Sequence, residues 1–199
     1  LSISPIFPAH YAQSRRIACD AWNKIKDTEY TLNALSYGWW MDRVYQYNDP
    51  DHIVLREATD GENRARVTSG VITGIFIAGD DFSAEGPEVV KEKAMKYLTN
   101  AEVNAIANGV AFRPVYGNGE KSECQFVRID GEDKAYYAVF NYTEEEQKTT
   151  TPLSDLGLDT SSPYEAKELW TGNCMTLKGE IQVTLPPSDV AVFSITRRK

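Results

Sequence analysis

Near Gly109 the apolar pattern changes period, and this change restricts the fold more than any other feature of the chain. Before it, short apolar runs at residues 1–7, 44–47 and 71–78 are separated by stretches that can be helical. Near-continuous apolar strands alternating with helices indicate parallel β/α units, buried on both faces. Residues 14 to about 35 place Ile17, Ala21, Ile25 and Leu32 along one side of a helix. Pro87 opens another at a favoured first-turn position, with Val90, Ala94, Tyr97 and Leu98 at i, i+4, i+7 and i+8. Thr99 and Glu102 form a capping box for a short helix through Ile106. Three such units cannot close a barrel, because a complete (β/α)8 TIM barrel takes roughly 250 residues. Residues 1–108 are therefore expected to be the last β/α units of one. Leu1 is not an initiator methionine and opens inside an apolar run, so a processed or truncated piece of a longer protein is expected.

After Gly109 the alternation has period two. Gln125 to Ile129, the turn residues Asp130-Gly131, and Lys134 to Tyr142 predict an antiparallel hairpin. Ile181, Val183 and Leu185 alternate with Gln182 and Thr184, the pattern of a half-buried strand. Val190 to Ile195 is the last strand, followed by a solvated Arg197-Arg198-Lys199. Several strands without a helix predict an antiparallel β-sandwich over 109–199, the boundary falling at residues 108–112.

A chain of 199 residues with 42% hydrophobic side chains can bury a sizeable core. Its net charge of −8 argues against nucleic acid or an anionic membrane as main partner. No run approaches the roughly 18 apolar residues of a membrane span, and no signal-peptide pattern opens the chain. Cys19, Cys124 and Cys174 are odd in number, lack CxxC spacing and have only two histidines for company, so no metal site is expected. One disulfide or three buried thiols both remain open. Asn141-Tyr142-Thr143 satisfies a glycosylation sequon, which also arises by chance.

Two acidic positions carry the chemistry. In Asn48-Asp49-Pro50-Asp51, Pro50 fixes its own φ and biases Asp49 towards extended geometry, so the tetrapeptide is a rigid corner. The same residues are good turn chemistry, and Asp49 is read as holding the corner through side-chain to backbone bonds. About thirty residues earlier stands Arg16-Ile17-Ala18-Cys19-Asp20. Carboxylates at two successive strand ends suit acid/base work on a sugar. Asp20 read alone is a solvated helix residue or a catalytic acid, and either Arg15 or Arg16 could be an ion-pair partner. His52 is a substrate contact or a structural histidine. Trp39 and Trp40 are a sugar-stacking platform or, preferably, core. Asp80 and Asp81 are a cation site or, more simply, a cap on the following segment.

Taken in order, these elements resemble the α-galactosidases and α-N-acetylgalactosaminidases of glycoside hydrolase family 27, in the clan shared with family 36. The matching order is a strand at Ser2-Ile3-Ser4-Pro5, then Arg16 to Asp20 with Trp22 close behind, then Asn48-Asp49-Pro50-Asp51. A strand ending in Ala78-Gly79-Asp80-Asp81 and a helix ending in Val103-Asn104-Ala105-Ile106 lead into the sandwich. The resemblance implies a retaining glycosidase, without cofactor, acting on α-linked galactose or a related sugar, and an extracellular or periplasmic location. It implies Asp20 as general acid/base, Arg16 beside it, Asp51 on a sugar hydroxyl, and Ser4 and His52 as substrate contacts, with Asp49 and Pro50 structural. The nucleophilic aspartate would lie on an earlier strand, before Leu1, so the chain by itself is expected to be inactive and to associate with its missing barrel half or with itself. Ser4 and Pro5 stand where the α-galactosidases carry glutamate and tryptophan, and His52 where methionine is usual. A serine is closer to the N-acetylgalactosaminidase pattern, although Phe7 is bulky for an acetamide. The competing reading is a non-catalytic carbohydrate-binding or structural module that packs against a partner chain.

Overall fold

The computed structural model describes residues 10–75, 77–117 and 121–198. The strand expected over residues 1–7, with Ser4, Pro5 and Phe7, lies outside the described residues.

Three parallel strand segments line up in the first half. β1 (Ser14–Arg16) pairs with β2 (Tyr47–Asp49), Ser14 opposite Tyr47 and Arg16 opposite Asp49. β3 (His52–Ile53) pairs with β4 (Ile77–Ala78). Only Pro50 and Asp51 separate β2 from β3, so they act as one strand bent at that point. Helix α1 (Ile25–Gly38) joins β1 to β2, α2 (Asp60–Thr73) joins β3 to β4, and α3 (Glu88–Tyr97) and the short α4 (Ala101–Asn104) follow. This is the end of a (β/α)8 barrel. On the outer strand, Ile77 and Ala78 are exposed, an apolar edge with no strand partner beyond β3 among the described residues.

Several boundaries differ from the sequence expectations. The first helix starts at Ile25, not residue 14. Asp27 reaches back to accept from the backbone N–H groups of Trp22 and Lys24, which ends the preceding loop there. Ser14–Arg16 is claimed by strand pairing instead. The expected strand at 44–47 is displaced to Tyr47–Asp49, because Arg43, at φ 70°, turns the chain just before it. Most of the run at 71–78 is helical. Val71 and Ile72 belong to α2, whose N-terminus is held by a Thr59/Glu62 capping box and whose end is the left-handed Gly74. For α4 the cap is Asn100, accepting from Glu102 and Val103 N–H, and not Thr99, whose hydroxyl donates to the Met95 carbonyl.

The second half is antiparallel. Six strands run in the order β10 (Cys174–Leu177), β9 (Tyr164–Glu168), β12 (Asp189–Arg197), β7 (Lys134–Asn141), β6 (Gln125–Ile129), β5 (Arg113–Pro114). The β6–β7 hairpin turns at Asp130-Gly131 as expected, Gly131 taking φ 89°. A second sheet, β8 (Gln147–Pro152) with β11 (Glu180–Leu185), closes the sandwich. β11 alternates exposed and buried through Leu185, as its sequence pattern requires.

The six-stranded sheet is the middle layer. Tyr136, Ala138, Phe140, Val190 and Val192 pack with Leu32, Leu35, Val67 and Val71 from the helices. Tyr137, Val139, Phe193 and Ile195, one residue out of phase, pack on the β8–β11 sheet with Leu153, Ile181 and Val183. Both faces of β7 and β12 are therefore buried. One apolar cluster takes residues from both sides of positions 108–112.

α2 is clamped to this sheet. Arg64 donates from Nε and Nη2 to both carboxylate oxygens of Asp189, at 3.0 and 2.6 Å. Trp170 Nε1 donates to Thr68 Oγ1 at 3.0 Å. Gly61 faces the turn before β12 so closely that a Cβ there would stand 2.4 Å from the Ser188 carbonyl oxygen. On an open helix surface Gly→Ala stabilises by about 1 kcal/mol. Here Gly61→Ala is expected to destabilise the chain by about 1–3 kcal/mol, because the backbone it meets cannot yield as a side chain could. Urea denaturation of the variant gives the sign directly.

Candidate functional site

Successive residues of a strand point to opposite faces, and β1 uses this to separate its two arginines. Arg15 turns inward, where its Nε donates to Asn48 Oδ1 at 2.9 Å and burial lowers its pKa. Arg16 turns towards the carboxyl ends of the strands. Its guanidinium lies 3.2 Å from Asp20 Oδ1 and forms a second, closer ion pair with Asp51 Oδ2. Arg16 is thus the ion-pair partner, and it bridges the two acidic positions.

Asp20 lies in the loop between β1 and α1 and is not a helix residue. Its side chain is 75% exposed, so the carboxyl is free to meet something from outside the described residues. Asp51 is the opposite case. It is buried at φ 76°, with Oδ2 accepting from Ala21 N–H at 2.6 Å and Oδ1 lying 3.4 Å from His52 Nδ1. Asp49 Oδ1 accepts from Asp51 N–H at 2.8 Å, which closes the turn locally. A non-glycine residue in the left-handed region costs of order 1 kcal/mol and persists only when surrounding bonds over-determine it. Those bonds are present here.

A further set comes from a residue that the sequence did not single out. Arg66 on α2 is the largest fully buried side chain among the described residues. Its Nη2 donates to the Pro50 carbonyl at 2.7 Å and the His52 carbonyl at 3.0 Å, and Nη1 to Ser69 Oγ at 3.3 Å. Desolvation pulls its pKa down to about 10, opposed chiefly by the charge of Asp51, so it remains a cation at neutral pH. No local signal distinguishes it, since Arg64 and Arg66 flank Ala65 in an otherwise polar stretch and either could be the solvated one.

His52 is held from two further sides. Its ring meets Trp22 edge-on, with centroids 5.1 Å apart and planes at 64°. Gly79 backs it, where an added Cβ would be 2.7 Å from His52 Cβ. Arg16 Nε, Asn48 Nδ2 and His52 Nε2 are buried atoms with no hydrogen-bond partner among the described residues. All three belong to this corner.

The remaining candidates lie elsewhere or act locally. The Asp80 side chain is covered and accepts from Leu55 N–H and Arg56 Nε, and Asp81 accepts from Ser83 N–H, which lowers its pKa. They cap and tether their own loops. Among the described residues no cluster of His, Cys, Asp and Glu could hold a metal ion. Trp39 and Trp40 are exposed, not core, because they sit in a single 3-10 turn beyond the end of α1. The three cysteines are free, with Cys19 and Cys174 exposed rather than buried, and burial pushes the Cys124 thiol up to about 11. The sequon asparagine is structural: Asn141 is buried, and its amide donates to the carbonyls of Glu145, Leu185 and Pro186. Arg197 belongs to β12 and pairs with Asp159.

Comparison with known proteins bears on the fold. Residues 129–195 match the family described as "Alpha galactosidase C-terminal beta sandwich domain". Proteins of Aspergillus flavus and Aspergillus oryzae named "Probable alpha-galactosidase A" are each 27% identical over 176 residues, covering 88% of this chain and 32% of theirs. The chain thus spans about a third of the length of the curated relatives it matches. A β-L-arabinopyranosidase of glycoside hydrolase family 27 from Geobacillus stearothermophilus, solved with arabinose, superposes with a TM-score of 0.81 at 20% identity, over 100% of this chain and 50% of that one. Alpha-galactosidase I from Mortierella vinacea gives 0.68 at 14% identity, over 95% and 54%.

The bonding predicts how the corner responds to change. Arg66→Met leaves the Pro50 and His52 carbonyls unpaired and Asp51 less compensated, and is expected to cost about 3 kcal/mol or more. Asp49→Ala removes one turn bond and is expected to cost about 1 kcal/mol. Chemical denaturation of the two variants should rank them in that order.

Proposed function

We propose, from the premise that this chain is the C-terminal portion of an α-galactosidase-like protein of glycoside hydrolase family 27, that the whole protein is a retaining glycosidase. Residues 1–108 are assigned to its barrel and 109–199 to its sandwich. Asp20 is the general acid/base: it protonates the leaving oxygen and then activates water. Arg16 and Asp51 orient Asp20 and a sugar hydroxyl, and Ser4 and His52 are further substrate contacts. Asp49 and Pro50 keep the corner rigid. The observation that carries this reading is the position of Arg16, bonded at once to the exposed Asp20 and the buried Asp51 at the carboxyl ends of parallel strands. Barrel enzymes place their chemistry at that end.

A retaining mechanism needs a second carboxylate about 5 Å from the first. Asp51 is occupied by Arg16 and the Ala21 N–H, so the attacking carboxylate is assigned to a strand outside these residues. The apolar edge at Ile77 is assigned to contact with the rest of the barrel. The sugar is galactose or a close relative; β-L-arabinopyranose, with the ring configuration of α-D-galactose but no hydroxymethyl group, is the second to assay.

In the full-length protein, Asp20→Asn is expected to lower turnover by about 10²–10⁴-fold. The loss should be smaller for a glycoside whose leaving group needs no proton. Stability should change by no more than about 0.5 kcal/mol, because the side chain is exposed. Wild-type turnover by Asp20→Asn would favour a non-catalytic module. The 199-residue chain alone is expected to show little or no hydrolysis, since acid catalysis without the nucleophile is insufficient. Robust turnover by that chain would place the nucleophile within it.

A further inference from the structure

Arg66 takes no part in the chemistry above, yet it is a cation only 1% exposed. A buried ion is seldom the most stabilising way to fill a volume, since apolar side chains of similar size often serve as well or better. What a guanidinium adds is fixed geometry and charge. Its donors go to two carbonyls and a hydroxyl: Nη2 to Pro50, Nη2 and Nε to His52, and Nη1 to Ser69. Pro50 and His52 flank Asp51, so the backbone is held on both sides of that acid. The charge also acts on Asp51 directly. Burial lowers the pKa of Arg66, and the first influence opposing this is the charge of Asp51, ahead of Asp27 and Asp49. The attraction is mutual, so Arg66 offsets the charge of Asp51 from within the fold.

That offset bears on Arg16, which is shared between Asp51 and Asp20. A guanidinium between two carboxylates moves towards the one whose charge is less compensated. Asp20 is 75% exposed, and among the described residues its carboxyl is held by Arg16. We propose that Arg66 is a positioning residue for proton transfer by Asp20. By fixing the backbone around Asp51 and offsetting its charge, it leaves Arg16 free to hold Asp20 towards the departing oxygen. Without Arg66, Arg16 closes on Asp51 and Asp20 is released to solvent. A displacement of about 1 Å at a catalytic group can cost about 10²-fold in rate. The inference rests on the reading of Asp20 as the general acid/base.

The test uses the full-length protein and two substrates: raffinose, whose departing sugar oxygen must be protonated, and α-galactosyl fluoride, whose leaving group needs no proton. Their kcat/KM values are compared per folded protein. Arg66→Met is expected to lower the ratio of raffinose to fluoride about ten- to hundredfold. Arg66→Lys, which keeps the charge but not the rigid fork, should restore part of the ratio. Gly61→Ala, which weakens the fold elsewhere, should leave the ratio at its wild-type value. A wild-type ratio in Arg66→Met, whether both substrates fall in parallel or neither changes, would overturn the inference and leave Arg66 as a support of the fold alone. If Arg66→Met does not fold, Arg66→Gln decides by the same criterion. Asp20→Asn is assayed on the same pair. A lowered ratio in Asp20→Asn beside an unchanged one in Arg66→Met rejects only the positioning role. A wild-type ratio in Asp20→Asn, or a wild-type protein that turns over neither substrate, rejects the acid/base reading and the inference with it.

Discussion

A buried cation under a bent strand is the constraint on which the candidate site depends. Between β2 and β3 the backbone leaves extended geometry at Asp51, and the carbonyls of Pro50 and His52 turn inward, away from any strand partner. Arg66 stabilises that arrangement by donating to both. A planar guanidinium holds its five donors in a rigid fork, and that of Arg66 serves two carbonyls and the Ser69 hydroxyl at once. From there the contacts run outward in order. The corner sets Asp51, Asp51 holds Arg16 and the Ala21 N–H, and Arg16 reaches Asp20. The exposed carboxyl of Asp20 is therefore positioned from the interior of α2, and not by its own loop alone.

α2 can serve as that anchor because the sandwich holds it. The Arg64–Asp189 pair, the Trp170–Thr68 bond and the close approach at Gly61 fix the helix against the start of β12 and the loop after β9. The six-stranded sheet consequently has no solvent face at its centre. Its helix side carries Phe126, Tyr136 and Phe140, its sandwich side Tyr137 and Phe193. Burial of that many aromatic rings on both faces makes the sheet the rigid reference for the barrel strands. The candidate catalytic end is then supported by a layer that lies away from it.

How far the sequence could be read depended on whether the decisive contact was local. The β6–β7 hairpin, the alternation of β11 and the start of α3 at Pro87 follow from neighbouring residues, and they appear where expected. α2 did not. Asn63, Arg66, Thr68 and Ser69 are buried along with its apolar residues, so it has no polar stripe. Its apolar C-terminal end reads equally well as a strand. The Thr59/Glu62 capping box was the available signal for its start. β1 is three residues with two arginines, too short and too polar to show a period. Arg66 itself carries no mark, since an arginine in a polar stretch is ordinarily solvated.

The sequence by itself determined the class of fold, the turn at Asp49-Pro50-Asp51 and the residue types available for acid chemistry. These depend on φ restriction at proline, side-chain bonds within a turn and the alternation of apolar residues, all acting over a few positions. Only the tertiary structure decided that Arg16 and not Arg15 bridges Asp20 and Asp51, and that Asp51 is buried while Asp20 is open. Each of those outcomes depends on strand pairing and burial across separations of about thirty residues or more, where one face of β1 is chosen over the other by what packs against it.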